Sequence, residues 1–423
     1  MHANDEHAQS FHKFHVHEVT IILNTGPAWL WALVAAVAMQ TACAFSTRVF
    51  PVLGPTLTEA ATVSPEDIGY LAAVGSLGTL WWLVAGGGLL VRLGPGRSMQ
   101  VGATIGAVGL LLATTGYWPV LMLASFLIGL GYGSTPAAGS EVLNQYAPAR
   151  HHSLMFSIKQ AGVPLGGVVA GLLVPIALVA VGWQFTCVGA AMLVILTCFL
   201  IEPLSGVIDR NADRQTSLRL GSFVDPRMLT MPFRSLAQNP SLQRVTIASL
   251  CFAMVQGCVV AFFVTYLTVD LGASLLFAGF AFSAMQVTGV AGRIFAGWLA
   301  DRLGSRRIVI VGLALASTIA VLLLAGLEPS SPQWAIQGLA GVVGVASSSW
   351  NGVFLAEVSR LVPKRKVGDA TAAATFFTFI GYVLGPAAFG ALLTHGGSYR
   401  AAFAVLAVIP LAGIAVMILP VRR

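Results

Sequence analysis

The sequence predicts an all-α integral membrane protein, with twelve transmembrane helices in two pseudo-symmetric six-helix halves. Three observations carry this. Hydrophobic residues make up 57% of the 423 and charged residues only 9%, whereas a soluble chain carries roughly 25% charged residues. The apolar residues gather in runs of about 20 or more, the length a helix needs to cross the hydrocarbon layer. Landmarks of the first half recur in the second at nearly fixed offsets.

The runs lie near residues 28–52, 65–91, 98–117, 119–146, 154–180 and 183–202, then 245–269, 273–300, 307–326, 333–360, 369–394 and 399–420; they are called spans 1 to 12. The stretch 205–240 is the one long polar connection between them. The chain therefore divides into a tail (1–27), a six-helix bundle (28–203), a linker (204–244) and a second six-helix bundle (245–423). The 46 glycines fit closely approaching membrane helices.

The net charge of +7 raises the question of a nucleic-acid partner. The location of the charge argues against one. Of 23 lysines and arginines, 18 fall in alternate loops, their flanks and the C-terminal end, while the intervening loops hold only Arg400. That is the positive-inside pattern. It predicts a multi-pass protein of the inner (plasma) membrane with both termini and the linker in the cytoplasm. The five cysteines all fall inside spans and none forms a CxxC pair, so neither a disulfide framework nor a cysteine metal site is expected. The tail carries His2, His7, His12, His15 and His17 without acidic or cysteine partners at ligand spacing, and reads as a disordered segment. No cleavable signal peptide is expected, because the first apolar run is long enough to span.

The internal repeat is sharpest in the loops after spans 2 and 8. "GGLLVRLGPGR" (87–97) and "GWLADRLGSRR" (297–307) align Gly87, Arg92 and Arg97 with Gly297, Arg302 and Arg307. Glu141 and Glu357 correspond at the ends of spans 4 and 10, and "GWQ" (182–184) with "SYR" (398–400) at the starts of spans 6 and 12. Repeated halves of this kind mark transporters, with the substrate site at the midplane between them. Gly87 and Gly297 are expected to let a neighbouring helix pack closely. Arg92 and Arg97 with Glu141, and Asp301, Arg302, Arg306 and Arg307 with Glu357, are expected to pair as a latch that forms in one arrangement of the halves.

These motifs resemble the major facilitator superfamily, and the resemblance covers essentially all twelve spans. "GWLADRLGSRR" follows the superfamily's G-x-x-x-D-R-x-G-R-R loop; the N-terminal copy departs from it at Val91. "GVPLGG", with Gly162, Pro164, Gly166 and Gly167, is a variant of the G-P-x-x-G-G packing motif of span 5, and "GPAAFG", with Gly385 and Pro386, resembles it in span 11. In "SFLIGLGYG", Ser125 stands where proton-coupled drug antiporters carry an arginine. The resemblance implies a secondary transporter working by alternating access, and it allows proton coupling.

Substrate must be argued from charges inside the membrane, which are costly and rare. Arg48, Lys159 and Arg293 lie within spans, whereas all sixteen acids lie in the tail, in loops or near span ends. A cavity lined by cations without acids should attract an anion. Arg293 precedes Asp301 by about 12 Å of helix and ends a polar stripe with Gly279, Ser283 and Gln286. Nitrate/nitrite and monocarboxylate porters, by resemblance, carry an anion-binding arginine at this place. Its bland alternative is to cap neighbouring helix carbonyls. Arg48 and Lys159 have snorkelling as theirs. Gln256, Asn351, Thr375, Thr378 and Tyr382 are further candidates to bond an oxyanion, or else to serve helix packing.

No Walker loop, G-x-S-x-G elbow or HExxH occurs, so no enzyme, catalytic residue, metal or cofactor is expected. The expected partners are a small anion, the lipid bilayer and, if coupling is to protons, protons; a monomer is expected. The leading substrate class is an organic carboxylate. The alternatives are drug or metabolite efflux on the same fold, and an inorganic anion resembling cyanate or nitrate.

Overall fold

A computed structural model describes residues 27–60, 63–148, 152–213, 236–237, 239–363 and 367–418. The histidines of the tail, most of the linker, Arg150, Lys364 to Lys366 and the two C-terminal arginines lie outside the described residues.

Among the described residues, ten helices are long and apolar enough to cross a membrane. One of them, Met155–Gly206, is 52 residues long and doubles back at Gly182, whose φ of 80° an L side chain rarely adopts. It therefore contains spans 5 and 6. Pro95–Ala113, held against its neighbours from spans 4 and 6, is span 3. Twelve spans result, with interruptions at Gly86 in span 2, Ser349 in span 10 and Ala407 in span 12.

Local chemistry sets the ends. Asn239 accepts from the N–H groups of Ser241 and Leu242 to start span 7, and Ser274, Ser305 and Ser398 cap spans 8, 9 and 12 in the same way. The repeated loop after spans 2 and 8 turns on its inner glycine. Gly94 (φ 82°) and Gly304 (φ 63°) terminate their helices in positive-φ conformations, which explains why that glycine occurs in both copies. The expectation for Gly87 and Gly297 is corrected here, because a side-chain carbon added at either would meet nothing within 4 Å. Neither glycine supplies close packing in this arrangement.

The packing of the first half recurs in the second. Span 1 packs on span 5 as span 7 does on span 11, and span 2 on span 4 as span 8 on span 10. Span 5 crosses to span 8, and span 2 to span 11, joining the halves. Small residues make these crossings possible. Gly166 lies against the backbone of Thr41 and Phe45 in span 1, Gly167 against Gln286, and Gly385 against the backbone of Met254 in span 7. Away from the arginine-rich face, Phe262, Tyr266, Phe389, Tyr399 and Phe403 form a continuous aromatic cluster, and Gly69 of span 2 sits directly on Phe262 and the Pro386 carbonyl. The aromatic rings and Gly69 thus pack this end of the bundle closely. The outward surface is apolar, with Val179, Phe185 and Phe199 each at least 70% exposed, as lipid contact requires. Trp81 faces outward while its neighbour Trp82 is buried.

Close approach and open space give opposite expectations for one substitution. A Cβ at Gly129 would strike the backbone of Gly75, so Gly129→Ala should cost about 1–3 kcal/mol as overpacking. Gly297→Ala meets nothing and should be neutral or stabilising by up to about 1 kcal/mol through helix propensity. Thermal melting of the two variants in one detergent tests the contrast; equal shifts would refute it.

Candidate functional site

Arg48 from span 1 and Arg293 from span 8 are both within electrostatic reach of Tyr132 of span 4 and Tyr382 of span 11, and Arg293 also feels Arg48. Two cations from opposite halves thus share one cluster with two phenols. Among the described residues, no carboxylate forms an ion pair with either arginine.

Arg293 is held in place by backbone. Its Nε donates to the Ser348 carbonyl at 2.9 Å, beside the interruption of span 10, and its Nη1 donates to the Gln160 carbonyl of span 5 at 3.3 Å. It therefore does cap helix carbonyls, one in each half. A guanidinium has five N–H donors, so three remain for another acceptor. Arg48 is less satisfied: its Nε is buried without a partner, as is the Gln286 amide nitrogen. Buried donors of this kind are costly unless an acceptor arrives.

Gln256 of span 7 organises the other wall. Its Oε1 accepts from the Tyr382 hydroxyl at 2.7 Å, the Trp350 indole N–H at 3.1 Å and Asn351 Nδ2 at 3.5 Å. Its amide nitrogen donates to Ser348 Oγ at 3.4 Å. Trp350 is fixed in turn by stacking on Phe252, with centroids 5.6 Å apart. Gln256, Asn351, Tyr382 and Arg293 are thereby brought together.

Other expected residues go elsewhere. Lys159 is buried, but its ammonium donates to the Pro136 carbonyl at 2.9 Å and to Ser140 Oγ at 3.4 Å, joining span 5 to span 4. It does not snorkel, and its bonds run to span 4. Thr378 is bonded to Ser249 at 2.8 Å and Thr375 is part-buried. Ser125 donates to the Leu71 carbonyl and packs span 4 on span 2. Among the described residues no cluster of metal-ligating side chains occurs.

Among the described residues the latch is not formed. Glu357 pairs with Arg360 on its own helix at 2.6 Å. Arg302 lies over Trp298, 5.2 Å from the ring centroid, and Arg307 donates to the Met417 carbonyl of span 12. Glu141 accepts from Gln145 rather than from Arg92 or Arg97. The physical reason is proximity, since each acid takes the nearest donor on its own turn of helix.

Two residues that the sequence did not single out complete the picture. Tyr132 sits inside the quoted "GLGYG", where a hydroxyl flanked by glycines in mid-span was the available signal. Asp209, just beyond span 6, accepts from the N–H groups of Gly96 at 2.7 Å and Arg97 at 2.9 Å, at the start of span 3. Burial pushes its carboxyl above the ordinary range, and those two bonds pull it back. The repeat lacks its acid at Val91, and Asp209 brings one to the same loop.

The Major Facilitator Superfamily profile matches residues 30–243 and 245–423, and the chain belongs to that family of membrane transport proteins. It is 26% identical, over 94% of its length and 86% of the relative's, to an uncharacterized MFS-type transporter of Mycobacterium tuberculosis. It is 24% identical to monocarboxylate transporter 13 of Bos taurus over 92% of its length and 89% of that chain. It is 28% identical to the probable nitrate/nitrite transporter NarK2 of M. tuberculosis over 70% of its length and 71% of that chain. In fold, it superimposes with a TM-score of 0.71 on a bacterial homolog of the human lysosomal transporter Spinster, covering 93% of this chain and 96% of that one at 15% identity.

Asp209→Ala should free the start of span 3 and lower stability by about 1–2 kcal/mol, the worth of a charged helix cap. Asp209→Asn, which still accepts, should lose less. Melting curves of the two variants decide this; an unchanged midpoint for the alanine variant would remove the cap.

Proposed function

We propose that the protein carries a small organic carboxylate across the plasma membrane by alternating access, seating the anion between Arg48 and Arg293. The observation that carries the reading is the pair of guanidinium groups, one from each half, with donors to spare and, among the described residues, no carboxylate paired to either. An anion there satisfies both halves at once, so its arrival favours the state in which they close on it. A cationic substrate would face two like charges. The likeness to a monocarboxylate transporter supports the carboxylate; the likeness to a nitrate/nitrite transporter favours an inorganic anion as the second reading.

The driving force in this reading is an ion gradient or exchange, proton symport being read as dependence of uptake on a pH gradient. The protein works as a monomer, with both termini and the 204–244 linker in the cytoplasm. Cysteines placed at Thr58 and Glu328 in a cysteine-free background should label with an impermeant reagent from outside, and one at Asp213 should not. The reverse pattern would invert the orientation.

The chemistry is tested with a melting-temperature screen of carboxylates, nitrate and lipophilic cations, followed by uptake. Arg293→Ala should cut uptake of the stabilising anion by about 10- to 100-fold, the loss of charge-assisted bonds, while expression persists. Arg293→Lys should keep the charge, lose the fork geometry and weaken apparent affinity. Uptake at the unaltered rate by the alanine variant sinks the assignment, and stabilisation by nitrate alone favours the second reading.

A further inference from the structure

We infer that the site selects carboxylates bearing a hydroxyl or other hydrogen-bond donor, which Tyr382 recognises with an oxygen that can only accept, and that Gln256 is the positioning residue that makes it so. The inference rests on the reading of Arg48 and Arg293 as the anion seat. It adds the direction of one hydrogen bond.

The direction follows from the donor inventory. An indole N–H donates and cannot accept. The Trp350 nitrogen lies 3.1 Å from Gln256 Oε1, so that atom must be the amide oxygen. The ambiguity that normally attends an amide is thereby removed. The Tyr382 hydroxyl lies 2.7 Å from the same oxygen. An amide oxygen brings no proton, so the phenol supplies it. A phenol has only one. Tyr382 therefore turns lone pairs alone toward the rest of its surroundings, and among the described residues no N–H or O–H is bonded to its oxygen. Tyr382 is only part-buried and shares the field of Arg293 and Arg48.

The geometry is held firmly. Gln256 is buried, and its other amide atom is anchored at Ser348. Trp350 stacks on Phe252 and also contacts the Phe354 ring. Rotating the amide to release the phenol would set its NH2 group against the indole N–H, leaving two buried donors facing each other.

The consequence is a graded preference. A carboxylate held by the arginines, with a neighbouring hydroxyl, can give that proton to Tyr382. A hydrogen or methylene at the same place leaves the lone pair unmet. A keto oxygen sets one acceptor against another. Sites built around a polar group discriminate against analogues that leave it unpaired.

Purified protein in detergent is titrated, by thermal shift, with two sets matched except at one carbon: lactate, propionate and pyruvate, and mandelate, phenylacetate and phenylglyoxylate. In the set that binds, the hydroxy acid should bind about three- to tenfold more tightly than the deoxy acid, the net worth of one hydrogen bond. The keto acid should bind more weakly still. Tyr382→Phe should bring the hydroxy/deoxy ratio to about 1. Gln256→Leu frees the phenol proton and should raise the keto acid relative to the deoxy acid; if that variant does not fold, Tyr382→Phe alone decides. Equal binding across a set, or a preference that survives in Tyr382→Phe, overturns the inference and leaves the anion seat standing. Failure of every carboxylate to bind while nitrate does overturns the carboxylate seat, and this inference with it.

Discussion

A guanidinium group cannot be left bare in a low-dielectric interior. It must find acceptors, water or a counter-anion. Arg293 meets that demand by bonding to backbone carbonyls of two spans in two different halves. The arrangement around it follows from this. Span 10 is interrupted beside Ser348, whose carbonyl accepts from Arg293 Nε. Span 5 comes close enough for the Gln160 carbonyl because Gly167 and Gly171 allow span 8 to lie against it. The small-residue motifs and the buried charge are therefore parts of one solution, with close helix approach supplying the acceptors that make the arginine tolerable.

The aromatic end is held by packing instead. Aromatic side chains of spans 7, 11 and 12 interlock there, with Gly69 of span 2 pressed against them. Packing of this kind is non-directional and tolerates tilting poorly, because interdigitated side chains have few alternative arrangements. The arginine-rich face is built differently. Its polar contacts stay within one half, as Glu357 bonds Arg360, Arg307 the Met417 carbonyl and Asp209 the N–H groups at the start of span 3. Such contacts can be exchanged without moving a core. The two ends of the molecule thus differ in kind, one held by aromatic packing and the other furnished with interchangeable polar contacts.

Most of the fold was legible in the sequence because a membrane span is a long signal. Twenty apolar residues identify it almost regardless of which residues they are. The turns were less so: the interruptions at Gly86 and Ser349 carry no marker beyond small residues that also occur within unbroken helices. The site was legible to the extent that a charge in a span is rare. Arg48 and Arg293 stand out on that ground. Lys159 stands out equally, and only the structure separates them, because the Pro136 carbonyl that receives its ammonium lies 23 residues away on another helix. Tyr132 was hidden by its chemistry, since an aromatic residue in a span is ordinarily apolar filling. Asp209 was hidden by distance, 113 residues from the backbone it caps. The latch was legible as a pattern of charges, but a pattern does not say which neighbour each acid takes.

The turn at Gly182 joins spans 5 and 6 with a single residue of positive φ and no loop. A hairpin so short has no slack. Span 5 carries the crossing to span 8, whereas span 6 presents Phe185, Met192 and Phe199 to the surroundings. Any rocking of span 5 is therefore handed directly to a surface that lies in lipid. Where a longer loop would absorb the tilt, here the bilayer must yield to it, so its thickness and stiffness enter the energetics of the moving helix pair as directly as any side chain does.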